Sequence, residues 1–252
     1  MTQEIKPQLA QVSIMDSMSR AKEIWVQNFL VISLAVIIVY IPNQVIIELI
    51  SIPLDNAFPD DLESLRMKTN VYDGIRGLIG IIASLGVINF VFQVMRGNEE
   101  NSSATDIVLH GLNKWPIYFI ASLYAGLKVI LYMLMLLIPG IYKGVRLSFV
   151  DCLSTTDNLD YSQTCNKSES MVEGRWWYIF AFILFIFVLE AIVEILVALP
   201  FFYFSENQIV TGLMGILIRV ITIYFVIVKA VYFFELLKLK SDELEASQDQ
   251  SL

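Results

Sequence analysis

Residues 177–203 read WYIFAFILFIFVLEAIVEILVALPFFY, and within them only Glu190 and Glu194 carry charge. A bilayer's hydrocarbon core is ~30 Å thick, and a helix rising ~1.5 Å per residue needs roughly 20 apolar residues to cross it. This run exceeds that length and has no polar face, so it reads as a membrane helix rather than a core helix of a soluble domain. The same test picks out residues 29–50, 75–95, 116–138 and 209–237. A shorter apolar stretch, from the Pro139-Gly140 break to about Leu153, carries Lys143 and Arg146. It is taken as a full crossing in preference to a re-entrant piece. The expected fold is all-α: a polytopic membrane protein with six transmembrane helices in three hairpins, preceded by interfacial amphipathic lead helices. Residues 1–28 form the first lead, 29–237 the membrane domain and 238–252 an acidic cytoplasmic tail.

Composition points the same way. Hydrophobic residues make up 56% of the 252-residue chain and charged residues 17%, whereas soluble domains carry about 25% charged residues. The net charge of -8 comes from acids gathered at Asp55, Asp60, Asp61, Glu63 and Asp73, and again at Asp242, Glu243, Glu245 and Asp249. These read as a solvated loop and tail. There is no basic, aromatic-rich patch of the kind that nucleic acid requires, so no nucleic-acid partner is expected. Cys152 and Cys165 stand thirteen apart in a polar stretch, a spacing that fits no zinc pattern, and His110 is the single histidine. No metal or cofactor is expected, and the thiols should be reduced if that stretch is cytoplasmic. The polar lead with Glu4, Asp16 and Glu23 does not read as a cleavable signal peptide.

Three stretches begin alike. Trp25, Trp115 and Trp176 each lie twelve residues after a Ser or Thr (Ser13, Ser103 and Thr164), and each precedes an apolar run. A lead helix lying in the interface, anchored by an indole, accounts for the pattern. Arg175 and Trp177 join Trp176 as interface anchors. Placing both ends inside assigns Lys6, Arg20, Lys22, Arg96, Lys114, Lys167, Arg175, Lys238 and Lys240 to the cytoplasm, against Arg66, Lys68 and Arg76 outside. That bias obeys the positive-inside rule. Membrane lipids are the expected partners.

The order of these features resembles the YciC-like family of bacterial inner-membrane proteins. It is also similar to the membrane domain that precedes some bacterial glycerophosphodiester phosphodiesterases. The likeness rests on Trp25-Val26-Gln27-Asn28-Phe29, on Leu137-Ile138-Pro139-Gly140-Ile141-Tyr142 with Arg146-Leu147-Ser148-Phe149, and on Ser168 through Gly174-Arg175-Trp176-Trp177. The resemblance implies an inner-membrane location and six helices, and it implies no established activity. No soluble catalytic domain is expected after the last apolar run.

Ionisable groups inside a bilayer cost ~2.5–3.5 kcal/mol each on insertion scales, so each is a site candidate. Glu190 and Glu194 share one helix face. Glu194 and Arg219 are both about ten residues from the turn between the last two apolar runs, which predicts a pair. Lys128 is placed to reach Glu190, and Lys143 and Arg146 either snorkel outwards or face Glu48. Lys229 and Glu235 are expected to snorkel, and His110 to lie on an amphipathic surface. Pro139 and Gly140 form a helix break near the outer surface. No nucleophile set, metal-ligand set or phosphate loop accompanies these charges, so an enzyme is not expected. The expected function is support of envelope or lipid organisation. A small transporter or channel component that uses the intramembrane charges is the alternative.

Overall fold

The computed structural model describes residues 11–57, 61–98, 102–199 and 208–249. Among them there are only helices and short connections, in the order α1 (Ile14–Gln27), α2 (Phe29–Ala57), α3 (Leu62–Met95), α4 (Ala104–Met135), α5 (Leu137–Arg146), α6 (Val150–Thr156), α7 (Tyr161–Val172), α8 (Trp176–Ala198) and α9 (Gln208–Asp249). The expected turn around Ser205, Glu206 and Asn207 lies outside the described residues, as do Lys6 and Asp60.

Five of these helices are long and apolar enough to cross a membrane: α2, α3, α4, α8 and α9. Their apolar windows are at most half buried within the protein, and that of α4 is 11% buried. Outward faces such as Leu30, Leu49, Leu123, Phe187 and Ile195 are exposed. Contiguous apolar surface on this scale is what acyl chains cover.

The stretch expected as the fourth span is instead a ten-residue helix, α5, a break at Leu147 and the seven-residue α6. At ~1.5 Å per residue α5 covers about 15 Å, half the hydrocarbon thickness. The chain leaves α4 at Leu136, whose φ of -165° and ψ of 147° are extended. A continuous helix would press the Pro139 ring against the carbonyl of Met135 four residues back, and the break removes that clash. Inside α5, Pro139 sits in the first turn, where the missing N–H has no intrahelical partner anyway. Gly140 then lets α5 fold back along α4, because a Cβ there would lie 2.1 Å from Met133 Cγ.

Helix starts follow local chemistry. The Ser13 hydroxyl accepts from the Asp16 N–H, Ser103 forms a capping box with Asp106, and Asp160 forms one with Gln163. The three leads begin there, but only α1 and α7 are separate helices; the second continues straight into α4. None is a bare interfacial helix. The α1 face of Ser17, Ala21 and Ile24 is buried against α9, where Ser17 Oγ donates to Glu235 at 2.6 Å and Arg20 pairs with it at 3.0 Å. The Tyr224 hydroxyl donates to the Met18 carbonyl. This contact ties the first lead to the C-terminal half of the last apolar helix. The start of α4 locks onto α3 through two glycines: a Cβ on Gly86 would lie 2.1 Å from the Ile107 carbonyl oxygen, and one on Gly111 2.0 Å from that of Ile82.

Aromatic rings gather where α3, α6, α8 and α9 meet. Phe182 stacks on Tyr232 at 3.8 Å between ring centres, and Phe149 and Phe92 lie against Phe233 at 5.0 and 5.9 Å. The stretch read as a polar loop around Cys152 and Cys165 is therefore folded, as α6 and α7, and both cysteines are free and buried. Burial pushes both thiols up, Cys152 well above its ordinary value. The acidic tail is also structured: α9 runs unbroken to Asp249, and Glu243 pairs with the buried Arg175 of the α7–α8 junction.

Candidate functional site

A cavity of about 790 Å³ opens between the C-terminal half of α2, the N-terminal half of α3, the end of α8 and the start of α9. On α9 these residues precede Tyr224 and Glu235, where α1 makes contact. Its walls carry Lys68, Arg76 and Arg219 against Glu48, Asp73 and Glu194. The two signs balance. Arg219 lies 3.7 Å from Glu194, and Arg76 lies 3.3 Å from Asp73. Both pairs are at least 40% exposed, so neither is a strong contributor to stability in its own right. They are positioned charges, open to a guest.

Uncharged polar groups add to the walls. Asn43 is 1% exposed; its amide donates to the Arg76 carbonyl at 3.3 Å, while its Oδ1 has no hydrogen-bond partner. The Tyr72 hydroxyl is likewise buried without a partner. Most buried polar groups in native proteins find partners, so two orphans in one cavity mark a surface suited to a polar guest. Gly80 admits the Tyr40 ring against α3, with the hydroxyl 2.3 Å from where a Cβ would stand.

A second charge cluster lies elsewhere. Glu169 of α7 accepts from Lys143 at 2.7 Å and faces Lys128 at 3.6 Å and Arg146 at 3.8 Å. Burial works against ionisation of Glu169, but Lys143 first, then Lys128 and Arg146, hold its carboxyl below the ordinary glutamate range. A third pair, Lys229 and Asp151, is 2.7 Å apart beside Cys152.

Comparison with protein-family models, with curated proteins and with solved structures finds no match. The site is therefore read from its own geometry.

The structure brings Glu194 and Arg219 together and puts Glu48 in the same cavity, with Glu190 one turn before Glu194 on α8. It does not put Lys128 on Glu190, nor Lys143 and Arg146 on Glu48. All three cations go to Glu169, because α5 folds back along α4 and carries its basic residues towards α7. Lys229 and Glu235, expected to snorkel, are held by Asp151 and by Arg20 with Ser17.

The tryptophans also differ from simple anchors. Trp115 Nε1 donates to the Leu78 carbonyl at 2.8 Å, and Trp176 Nε1 to the Tyr142 carbonyl at 3.1 Å. Trp25 packs edge-on against Phe29 and Tyr224. Only Trp177, 73% exposed, presents most of its ring outwards. His110 is not on an open surface; its Nε2 is buried, beside a smaller cavity with Gln93 and Asp106.

Lys68, Tyr72, Asn43, Glu169 and Asp151 escaped the sequence reading. One signal was present: Leu65, Lys68, Thr69, Tyr72, Asp73 and Arg76 recur at three- and four-residue steps, the period of one helix face. All six line the cavity.

Proposed function

We propose that this chain is a non-enzymatic integral protein of a bacterial inner membrane, and that it supports lipid organisation by holding the headgroup of a zwitterionic amphiphile in the cavity between α2, α3, α8 and α9. The observation that carries this reading is the balanced set of cations and carboxylates on the cavity walls, with Asn43 Oδ1 and the Tyr72 hydroxyl unpartnered among them. A guest bearing both charges satisfies both signs, and its apolar tail has the exposed faces of the neighbouring helices to lie on. The resemblance to YciC-like membrane proteins belongs to the same reading.

The contact of α1 with Glu235, in the C-terminal half of α9, supports an even number of crossings, with both ends on one side. Helices α2, α3, α8 and α9 make four of them, and the α4–α5 pair keeps the parity either by crossing twice, which gives six, or by turning back. The excess of Lys and Arg at the lead-helix end supports a cytoplasmic location for both termini, and it puts the cavity at the outer end.

The test is lipid retention. The full chain, purified in dodecyl maltoside, is expected to carry phosphatidylethanolamine, detected by native mass spectrometry. Arg219→Gln and Asn43→Ala should each lower that retention about tenfold while leaving helix content unchanged. Equal retention by wild type and both variants contradicts the proposal. The same charges favour a second reading, a small transporter or channel component. Ion flux in proteoliposomes that is lost in Arg219→Gln, with lipid retention unchanged, selects it.

A further inference from the structure

The hairpin of α4 and α5 ends in an apolar tip. Leu134, Met135, Leu136, Leu137 and Ile138 are 66–81% exposed, and nothing else in the chain offers so concentrated an apolar projection among the described residues. A turn of this composition is costly to leave in water. Its base has the opposite character. Three cations, Lys128, Lys143 and Arg146, face the single carboxylate of Glu169, which leaves a surplus of two positive charges. All four side chains are only 12–26% exposed. Arg146 Nε is buried without a hydrogen-bond partner, and so is Glu169 Oε1, which Lys128 approaches only to 3.6 Å.

Tyrosine rings complete the cluster. Lys128 Nζ lies 4.6 Å from the centre of the Tyr124 ring, Lys143 Nζ 5.3 Å from that of Tyr132, and the Arg146 guanidinium 5.7 Å from that of Tyr142. Such contacts stabilise cations in a partly dry site, but they do not neutralise charge. A half-buried cation surplus is costly until an anion joins it.

Distance along the hairpin says what kind of anion fits. Lys128 is eight residues before Leu136 and Lys143 seven after it, so the cations stand roughly 10–12 Å from the tip at helical rise. An anion there has apolar surface on both sides of it, at the tip and at the exposed Leu123 and Leu127 of α4, as a lipid phosphate does. The Trp176 ring stacks on Tyr142, next to Lys143, with the exposed Trp177 against it, and indole rings favour the headgroup boundary.

We propose that the α4–α5 hairpin turns back within one leaflet and binds the phosphodiester of an anionic phospholipid on Lys128, Lys143 and Arg146. The inference rests on the integral-membrane reading above, but it concerns a separate site. Glu169 is the resident counter-charge that positions the cations and competes with the lipid phosphate.

The test uses the purified full chain in dodecyl maltoside, titrated with dioleoyl phosphatidylglycerol, with dioleoyl phosphatidylcholine or with inorganic phosphate. Native mass spectrometry reads bound lipid, and circular dichroism reads folding. In an Arg219→Gln background, where the cavity no longer holds a zwitterion, phosphatidylglycerol should bind at least tenfold more tightly than phosphatidylcholine. Lys143→Gln with Arg146→Gln should remove that preference. Glu169→Gln should strengthen phosphatidylglycerol binding, whereas a carboxylate that serves structure alone leaves it unchanged or weaker. If the double variant fails to fold, Lys128→Gln and Glu169→Gln carry the test in opposite directions. Equal binding of the two lipids in that background overturns the proposal, as does unchanged or weaker binding in Glu169→Gln. Displacement of phosphatidylglycerol by millimolar inorganic phosphate overturns the lipid assignment in favour of a free anion. Failure of the integral-membrane reading shows differently, as no binding of either lipid. Leu136→Cys should resist a membrane-impermeant maleimide from both sides, and labelling from the outer face shows that the hairpin crosses instead.

Discussion

Gly111→Val should part α3 from α4 and lower the melting temperature in detergent by about 10 °C. The wild-type glycine stands where any Cβ would be 2.0 Å from the Ile82 carbonyl oxygen and 3.0 Å from the carbonyl carbon. These are backbone atoms of another long helix, so no side chain can swing away to make room. Overpacking of a well-packed contact costs about 1–3 kcal/mol, and more when backbone must move. For a chain of this length each kcal/mol shifts the midpoint by about 2–4 °C. Gly86→Ala meets the same obstacle from the other helix, 2.1 Å from the Ile107 carbonyl oxygen. Because both clashes strain one interface, the double variant should cost less than the sum of the singles. An unchanged midpoint in Gly111→Val would show that the two helices do not touch there.

Lys229→Met should be nearly as damaging, for an electrostatic reason. Lys229 Nζ lies 2.7 Å from Asp151, both side chains are less than one-third exposed, and the pair sits beside the buried Cys152 within the packed end of the bundle. Taking away the ammonium leaves a carboxylate in a site poor in water. Breaking one partner of a buried pair costs about 3–5 kcal/mol, while replacing both partners by uncharged groups of similar shape is often neutral. Lys229→Met alone should thus lose most of its folded yield in detergent, and adding Asp151→Asn should restore it. Fluorescence-detected size exclusion reads both. If the single variant behaves like wild type, Asp151 and Lys229 are not coupled.

These expectations show which parts of the molecule sequence can reveal. Apolar runs decide themselves, because twenty residues without charge have few uses other than crossing a bilayer, and α2, α8 and α9 were legible on that ground. The Glu194–Arg219 approach was legible too, since counting from a shared turn gives depth along two neighbouring helices. The partners of Lys128, Lys143 and Arg146 were not. Their location depends on α5 folding back along α4, which Gly140 permits by its contact with Met133, and no periodicity within α5 encodes that contact. Glu169 was hidden for a related reason. It lies in a serine-rich stretch with the composition of a loop, yet the Asp160–Gln163 capping box starts a helix there and the tertiary contacts keep it. The first half of α3 was overlooked because its charges suggested solvent. Those charges line the cavity instead, on a helix face whose period was there to be read.

The two charged sites contrast in their charge balance, and the proposals above give them different guests. In the α2–α3–α8–α9 cavity cations and carboxylates are equal in number, and a zwitterion suits it. Around Glu169 the cations prevail, and an anion suits it. The sites stand on different helices: one is walled by the long apolar bundle, the other sits at the base of a short hairpin. On the proposed reading the chain would hold lipids of two classes at two separate sites, an arrangement suited to organising a bilayer.

All of this requires that acyl chains, and not water, cover the exposed apolar faces of the five long helices. Washing membranes that contain the full chain with alkaline carbonate tests that requirement most directly. The protein should stay wholly in the membrane pellet; its release into the supernatant as a monodisperse species would contradict the account.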